Sequence, residues 1–314
     1  MAQKTKAVPS GDILSRRASA SRAADFSRFI RIPLLYVLST LLGLMFLFPF
    51  FYTLMSSLKE PFELFTVPPT MIPKRLQWAN YIEAVSLPMA PYGLWFYNTV
   101  VITVLSTSGG VLTSCLVAFG FARFRFRFKD ALFLITLSTL MMPAQVTLIP
   151  RYIMFFKFGQ WTGIPFLNTF KPLWLPAWFG GGAFAIFLIR QFIQTLPKDL
   201  DDAALIDGAS YPRIFMKIIV PLCKPVIATL TIISIIGKWN SFMEPMIYIN
   251  TSDKFPISVG IEFFHITGAG QTMAKPMQHY LMCASVLSTI VPITIFFLFQ
   301  RYFVQGVVMS GIKG

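Results

Sequence analysis

The chain has 314 residues, 55% of them hydrophobic and 13% charged, with a formal net charge of +14. Soluble domains carry about 25% charge, so half the usual complement is missing and the chain falls in the membrane class. The basic excess does not indicate nucleic acid, because Lys and Arg stand in short clusters beside apolar runs, as membrane orientation requires.

Residues 1–32 read as a flexible basic tail, rich in Ser, Ala and Arg and without apolar periodicity. The remainder, 33–314, reads as one all-α transmembrane domain. Six segments are long and apolar enough to cross about 30 Å of hydrocarbon at about 1.5 Å per residue. They lie near 33–56, 97–121, 131–156, 172–194, 225–249 and 280–303. The first is too long, and its basic leader too long, for a cleaved signal peptide.

Positive charge orients the bundle. Eighteen Lys and Arg fall on the side of the termini, the second-to-third connection and the fourth-to-fifth connection, against eight on the other side, with Lys238 inside a span. The excess marks the cytoplasmic face, so both termini are expected there. The connections near 57–96 and 250–279 are then the long outer loops. Cys115, Cys223 and Cys283 are far apart and read as small buried hydrophobes, and His265 and His279 as isolated loop histidines. No metal site is expected.

The most informative stretch is Leu196–Pro225, a polar island between the fourth and fifth spans. Four aspartates stand in it: Asp199, Asp201, Asp202 and Asp207. Pro197 suits the first turn of a short helix, whose acids sit at its positive end. Leu200, Ala203 and Ala204 form a small apolar face, and Gly208 is a natural C-terminal stop. Ser210 can cap a second helix, with Pro212 in its first turn and Ile214, Phe215, Ile218 and Ile219 along it. A calcium loop is excluded, because the position six places into it is Ala204 where the EF-hand needs Gly. A docking element with an acidic rim fits better than a plain solvated loop.

This stretch resembles the EAA loop of permease subunits of ATP-binding cassette importers. Asp202, Ala203, Ala204, Gly208, Ile218 and Pro221 occupy the places of Glu-Ala-Ala, Gly and Ile-x-Leu-Pro. Asp202 is one methylene shorter than the family's Glu, and Val220 replaces its Leu. Asn98–Pro150, Lys238–Tyr248 and Phe299–Gly314 are also similar to the second permease of maltose-type sugar importers.

The resemblance implies a non-catalytic transport subunit in a prokaryotic cytoplasmic membrane. It implies a second homologous permease, two cytosolic ATPases and an extracytoplasmic solute-binding protein as partners. Asp202, Ala203, Ala204, Asp207, Gly208 and Pro221 would couple to an ATPase. The chain has no phosphate loop and is expected to hold no cofactor, so ATP and Mg would be held by the partner ATPase.

Polar groups within spans are costly and usually face protein or a wet cavity. Gln145 lies between Pro143 and Pro150, where the third span should kink. On the fifth span, Ser234, Lys238 and Ser241 share one face, and Asn240 and Glu244 form a neighbouring pair beside Trp239. Gln145, Lys238, Trp239, Asn240 and Glu244 are therefore candidates for the solute path, and interhelical hydrogen bonding is the alternative. Lys238 keeps acidic sugars and sugar phosphates open beside neutral sugars and other polyols. An ion-driven secondary transporter and a non-transport scaffold are the rival classes. The EAA loop and the absence of an internal repeat speak against the first.

Overall fold

A computed structural model describes the backbone of residues 10–88, 90–270 and 277–311, with side chains for 32–88, 90–262, 264 and 277–300. Residues 1–9 of the basic tail and the His265 side chain lie outside the described residues. The described residues are all helix, turn and loop, with no strand. The chain divides into two units, residues 1–55 and 56–314.

The first unit is the body of helix α1 (Ser10–Ser57), which keeps Pro33 and Pro49 inside it. Its stretch Ile32–Ser57 is long and apolar enough to span a membrane.

The second unit contains α2 (Ala79–Ser86), α3 (Tyr92–Arg123), α4 (Lys129–Ser138), α5 (Ala144–Thr162), α6 (Lys171–Trp174) and α7 (Ala183–Thr195). After these come α8 (Asp199–Ile206), α9 (Tyr211–Ile214), α10 (Val220–Leu222), α11 (Lys224–Trp239), α12 (Met243–Tyr248), α13 (Ile257–Gly270) and α14 (Gln278–Gly311). Three of its stretches qualify as candidate spans by length and hydropathy: Tyr92–Arg123, Lys171–Thr195 and Gln278–Gln300.

Two further candidate spans are broken. Lys129–Met141 and Ala144–Thr162 meet at 103°, and Tyr211–Leu222 and Lys224–Trp239 at 77°. The first break sits where sequence places a kink. Met142 precedes Pro143 and is extended, with φ −81° and ψ 119°, because the proline ring excludes the residue before it from the helical region. Pro150, by contrast, stays inside α5. The second break follows a π-helical turn, Phe215–Ile219, and the short α10 that contains Pro221, whose missing N–H leaves the ladder one donor short.

Helix α3 is the spine of this unit and packs against α7, α11 and α13. Small and hydroxylated residues on it, among them Thr103, Ser106, Gly109, Ser114, Ala118 and Ala122, are buried and let neighbouring backbones come close. Their hydroxyls join elements. Ser106 Oγ donates to the Leu173 carbonyl at 3.0 Å, Thr113 Oγ1 to Ala177 at 2.9 Å, and Thr107 and Ser234 share a hydrogen bond of 3.3 Å.

At the Tyr92 end of α3, side chains reach the loop before α13. Trp95 Nε1 donates to the Ser252 carbonyl at 2.8 Å, and Asn98 Nδ2 to those of Asp253 and Phe255 at 2.8 and 3.0 Å. Asn168 ties the same loop to the α5–α6 connection through Asn250 and Thr251.

Gly260 of α13 lies flat on the Trp95 indole, and a Cβ there would overlap the ring. Trp95 is fully buried and anchored by its hydrogen bond, so it cannot yield. Gly260→Ala is expected to cost about 1–3 kcal/mol, read as a lower thermal midpoint of the detergent-purified permease.

Candidate functional site

The island folds as two helices joined by a turn. Helix α8 starts at Asp199, with Lys198 at its N-cap, so Pro197 precedes the helix and closes α7 instead of opening α8. Its C-terminus is a full Schellman stop. Gly208 is left-handed at φ 78°, its N–H bonds the Leu205 carbonyl at 3.0 Å, and the Ala209 N–H bonds that of Ala204 at 2.9 Å. Ser210 occupies the N-cap position of α9 but makes no side-chain capping bond; Pro212 lies in the first turn as expected.

The face that α8 turns inward differs from the apolar one expected. Leu200 and Ala203 are exposed, and only Ala204 of that trio is half-buried. The buried residue is Asp201, whose Oδ2 stands 2.6 Å from Nε of Arg123 at the end of α3. Burial raises the Asp201 pKa, and Arg123 opposes that rise. In a helix of eight residues, one charge held by a buried guanidinium outweighs a weak apolar periodicity.

The family-pattern acid Asp202, and Asp207, Gly208 and Pro221, are all exposed. So are the apolar residues Leu200, Leu205 and Ile206, the last at 87%. In the following segment Ile214, Phe215 and Ile219 are buried beside Phe119 and Ala122 of α3. Rings clasp this joint: Phe119 and Phe215 are 5.2 Å apart, Phe124 and Tyr211 5.0 Å.

The second candidate region lies where α11 ends. The helix stops at Trp239, and α12 begins at Met243, so Asn240 and Glu244 do not share a continuous helix as the fifth-span reading assumed. Glu244 instead meets two cations. Its Oε1 is 2.9 Å from Arg151 Nη1, and its Oε2 is 3.5 Å from Lys238 Nζ. Arg151, on α5, escaped the sequence reading, which counted it only among the eight charges of the outer side. The signal was its place inside the apolar stretch 131–156.

Asn240 is exposed, and its Nδ2 donates to the Ile236 carbonyl at 2.9 Å; Gln145 is exposed near the start of α5. Trp239, expected to offer its ring to a sugar, is buried. It packs edge-on to Phe96 at 5.6 Å and donates Nε1 to the Ser288 carbonyl at 3.1 Å. It joins α11 to α14 and is 4% exposed, at the edge of the open cleft between α3, α11 and α14.

A cavity of about 10 Å³, room for about one water, lies against Thr99, Ile102, Lys238, Ser241 and Glu244. An open cleft of about 420 Å³ between α3, α11 and α14 is lined mostly by Val, Leu and Ile. Thr103, Thr107, Ser108 and Thr231 are the hydroxyl groups in that lining, and no charged residue stands in it. Among the described residues no group of His, Cys, Asp and Glu is placed to hold a metal ion.

Residues 110–309 match the family model described as a binding-protein-dependent transport system inner membrane component. The chain is 31% identical to the arabinooligosaccharides transport system permease protein AraQ of Halalkalibacterium halodurans, over 85% of this chain and 91% of that protein. It is 33% identical to the sn-glycerol-3-phosphate transport system permease protein UgpE of Yersinia enterocolitica, over 85% and 92%.

Its fold is similar to a chain of a bacterial ABC transporter involved in import of the acidic polysaccharide alginate. There the TM-score is 0.71 at 23% identity, over 88% of this chain and 98% of that one. A second alginate transporter structure, in complex with an alginate pentasaccharide-bound periplasmic protein, gives a TM-score of 0.63 at 17% identity, over 87% and 94%. The chain, an all-helical membrane permease, belongs to the family of binding-protein-dependent transport system inner membrane components.

Proposed function

We propose that this chain forms half of the translocation path for a carbohydrate in an ATP-binding cassette importer, its α8 seated on a cytosolic ATPase. The observation that carries the reading is the form of α8 within a permease of this family. It is a short helix with a rigid stop, and it leaves Leu200, Leu205 and Ile206 uncovered beside Asp199, Asp202 and Asp207. Apolar groups ringed by charge suit a protein interface.

The Lys and Arg excess puts α8 and both termini in the cytoplasm of a prokaryotic cell. The opposite loops, tied together through Trp95, Asn98 and Asn168, then face a solute-binding protein. The partners are a second permease, two ATPases that hold ATP and Mg, and that binding protein. Residues 33–314 form the transport domain, with the basic tail of 1–32 ahead of it. Asp202, Ala203, Asp207 and Gly208 form the ATPase-facing edge, with Pro221 setting the bend behind it. Lys238, Glu244, Asn240 and Gln145 border the path, and Trp239 packs behind them.

The relatives carry an arabinooligosaccharide and a glycerol phosphate by name, and the structural neighbour an acidic polysaccharide. A second reading, an anionic carbohydrate, is favoured by one observation: Arg151 and Lys238 share a single carboxylate.

The test is uptake by proteoliposomes holding the two permeases, the ATPases and the binding protein, offered labelled arabinotriose, sn-glycerol-3-phosphate and an alginate trisaccharide. Uptake of at least one is expected to require ATP on the ATPase side and to survive an uncoupler. Uptake that persists without ATP and collapses with the uncoupler would establish an ion-gradient carrier instead.

A further inference from the structure

Helix α8 is attached to the rest of the bundle by very little. Of its eight residues Asp201 alone is buried and Ala204 half-buried, and the other six are exposed. The buried one is a carboxylate, the kind of group that is most costly to desolvate without a partner. Its partner is Arg123, with Nε 2.6 Å from Oδ2 and side chains 5% and 12% exposed. Arg123 is the last residue of α3, and its Nη2 also donates to the Leu196 carbonyl at the end of α7, at 3.2 Å. One guanidinium therefore joins the ends of α3, α7 and α8.

We infer that the Arg123–Asp201 pair is the positioning link through which displacement of α8 is passed to α3 and so to the wall of the solute path. The inference rests on the docking of an ATPase on α8. An apolar contact is non-directional and lets helices slide. A buried ion pair does not, because each charge left behind would be bare in a medium of low dielectric.

Asp201 Oδ1 already has no hydrogen-bond partner, and besides Arg123 the carboxylate feels only the more distant favourable charge of Lys198. The aromatic contacts Phe119–Phe215 and Phe124–Tyr211 fasten the next segment, not α8. At its other half, α3 lends Thr99 and Ile102 to the small cavity beside Lys238 and Glu244. A pull on Arg123 thus moves a helix that borders the candidate path.

The test uses the full complex of two permeases and ATPases, with MgATP as the only ligand. Its readout is the rate at which a Ser241→Cys reporter, at the cavity, reacts with a membrane-impermeant maleimide. In Arg123→Gln and Asp201→Asn the ATPases are expected to co-purify and hydrolyse ATP, while the MgATP-induced change in labelling rate falls about tenfold or more, within the usual range of coupling between sites. Arg123→Lys, which keeps the charge, is expected to retain most of the response.

A full response in assembled Arg123→Gln complexes overturns the inference. So does loss of assembly in Arg123→Lys as well as Arg123→Gln, which would make the pair a folding element only. If Arg123→Gln and Asp201→Asn do not accumulate while Arg123→Lys does, the double Arg123→Gln/Asp201→Asn buries no charge and decides the matter. Accumulation without a MgATP response supports the link, and accumulation with a full response removes it. ATPases missing from the unaltered complex would overturn the docking reading itself, an outcome distinct from both.

Discussion

Ile206→Asp is expected to strip the ATPase subunits from the purified complex, whereas Asp202→Lys is expected to weaken their attachment only a few-fold. Ile206 is 87% exposed at the end of α8. Burying an isoleucine is worth about 1.5–3 kcal/mol, or roughly a 10- to 150-fold change in Kd, and a buried aspartate adds its own desolvation cost. Asp202 is also exposed. An ion pair from such a position is worth about 0.2–1 kcal/mol, unless the interface dries it.

Titrating labelled ATPase onto the detergent-purified permease pair gives both constants. A wild-type Kd for Ile206→Asp would remove α8 from the interface. A larger loss for Asp202→Lys than for Ile206→Asp would return the main role to the acid that the EAA resemblance singles out.

Several features that place the site were legible because single residues dictate them. Gly208 is the only residue of its turn free to adopt φ 78° at no steric cost, and it ends α8 where the sequence has it. Pro143 forces Met142 out of the helical region, and the third span breaks there. The buried face of the segment after α8 follows from Ile214, Phe215 and Ile219 recurring along it.

What was not legible depends on partners distant in the chain. Asp201 and Asp202 are chemically identical neighbours, and only the end of α3, 78 positions before Asp201, decides which one turns inward. Arg151 counts only as one more charge on the outer side until α12 brings Glu244 to it. Trp239 carries the same chemistry whether it stacks on a sugar or packs on Phe96. Its hydrogen bond to the Ser288 carbonyl, on another helix, and its ring contact with Phe96 become visible only once the helices are packed.

Glu244→Gln is expected to lower uptake about tenfold or more, since hydrogen bonds to charged groups are worth about 1.5–3 kcal/mol each, partly discounted for side chains left 23–31% exposed. The neutral amide leaves Arg151 and Lys238 facing each other where α11 breaks. The two cations are not equivalent, with Arg151 at 2.9 Å from the carboxylate and Lys238 at 3.5 Å.

If the cluster only ties α5, α11 and α12 together, Arg151→Met should impair uptake more than Lys238→Met, in the order of those distances, and both should lower the thermal midpoint. If Lys238 instead meets the solute, the order inverts. Lys238→Met then raises KM for an anionic solute with little change in kcat, the mark of lost ground-state binding, and leaves a neutral oligosaccharide unaffected. Uptake kinetics of the two variants on sn-glycerol-3-phosphate and arabinotriose therefore separate a structural tie from an anion contact. An inverted order with equal KM changes on both solutes would argue against either role.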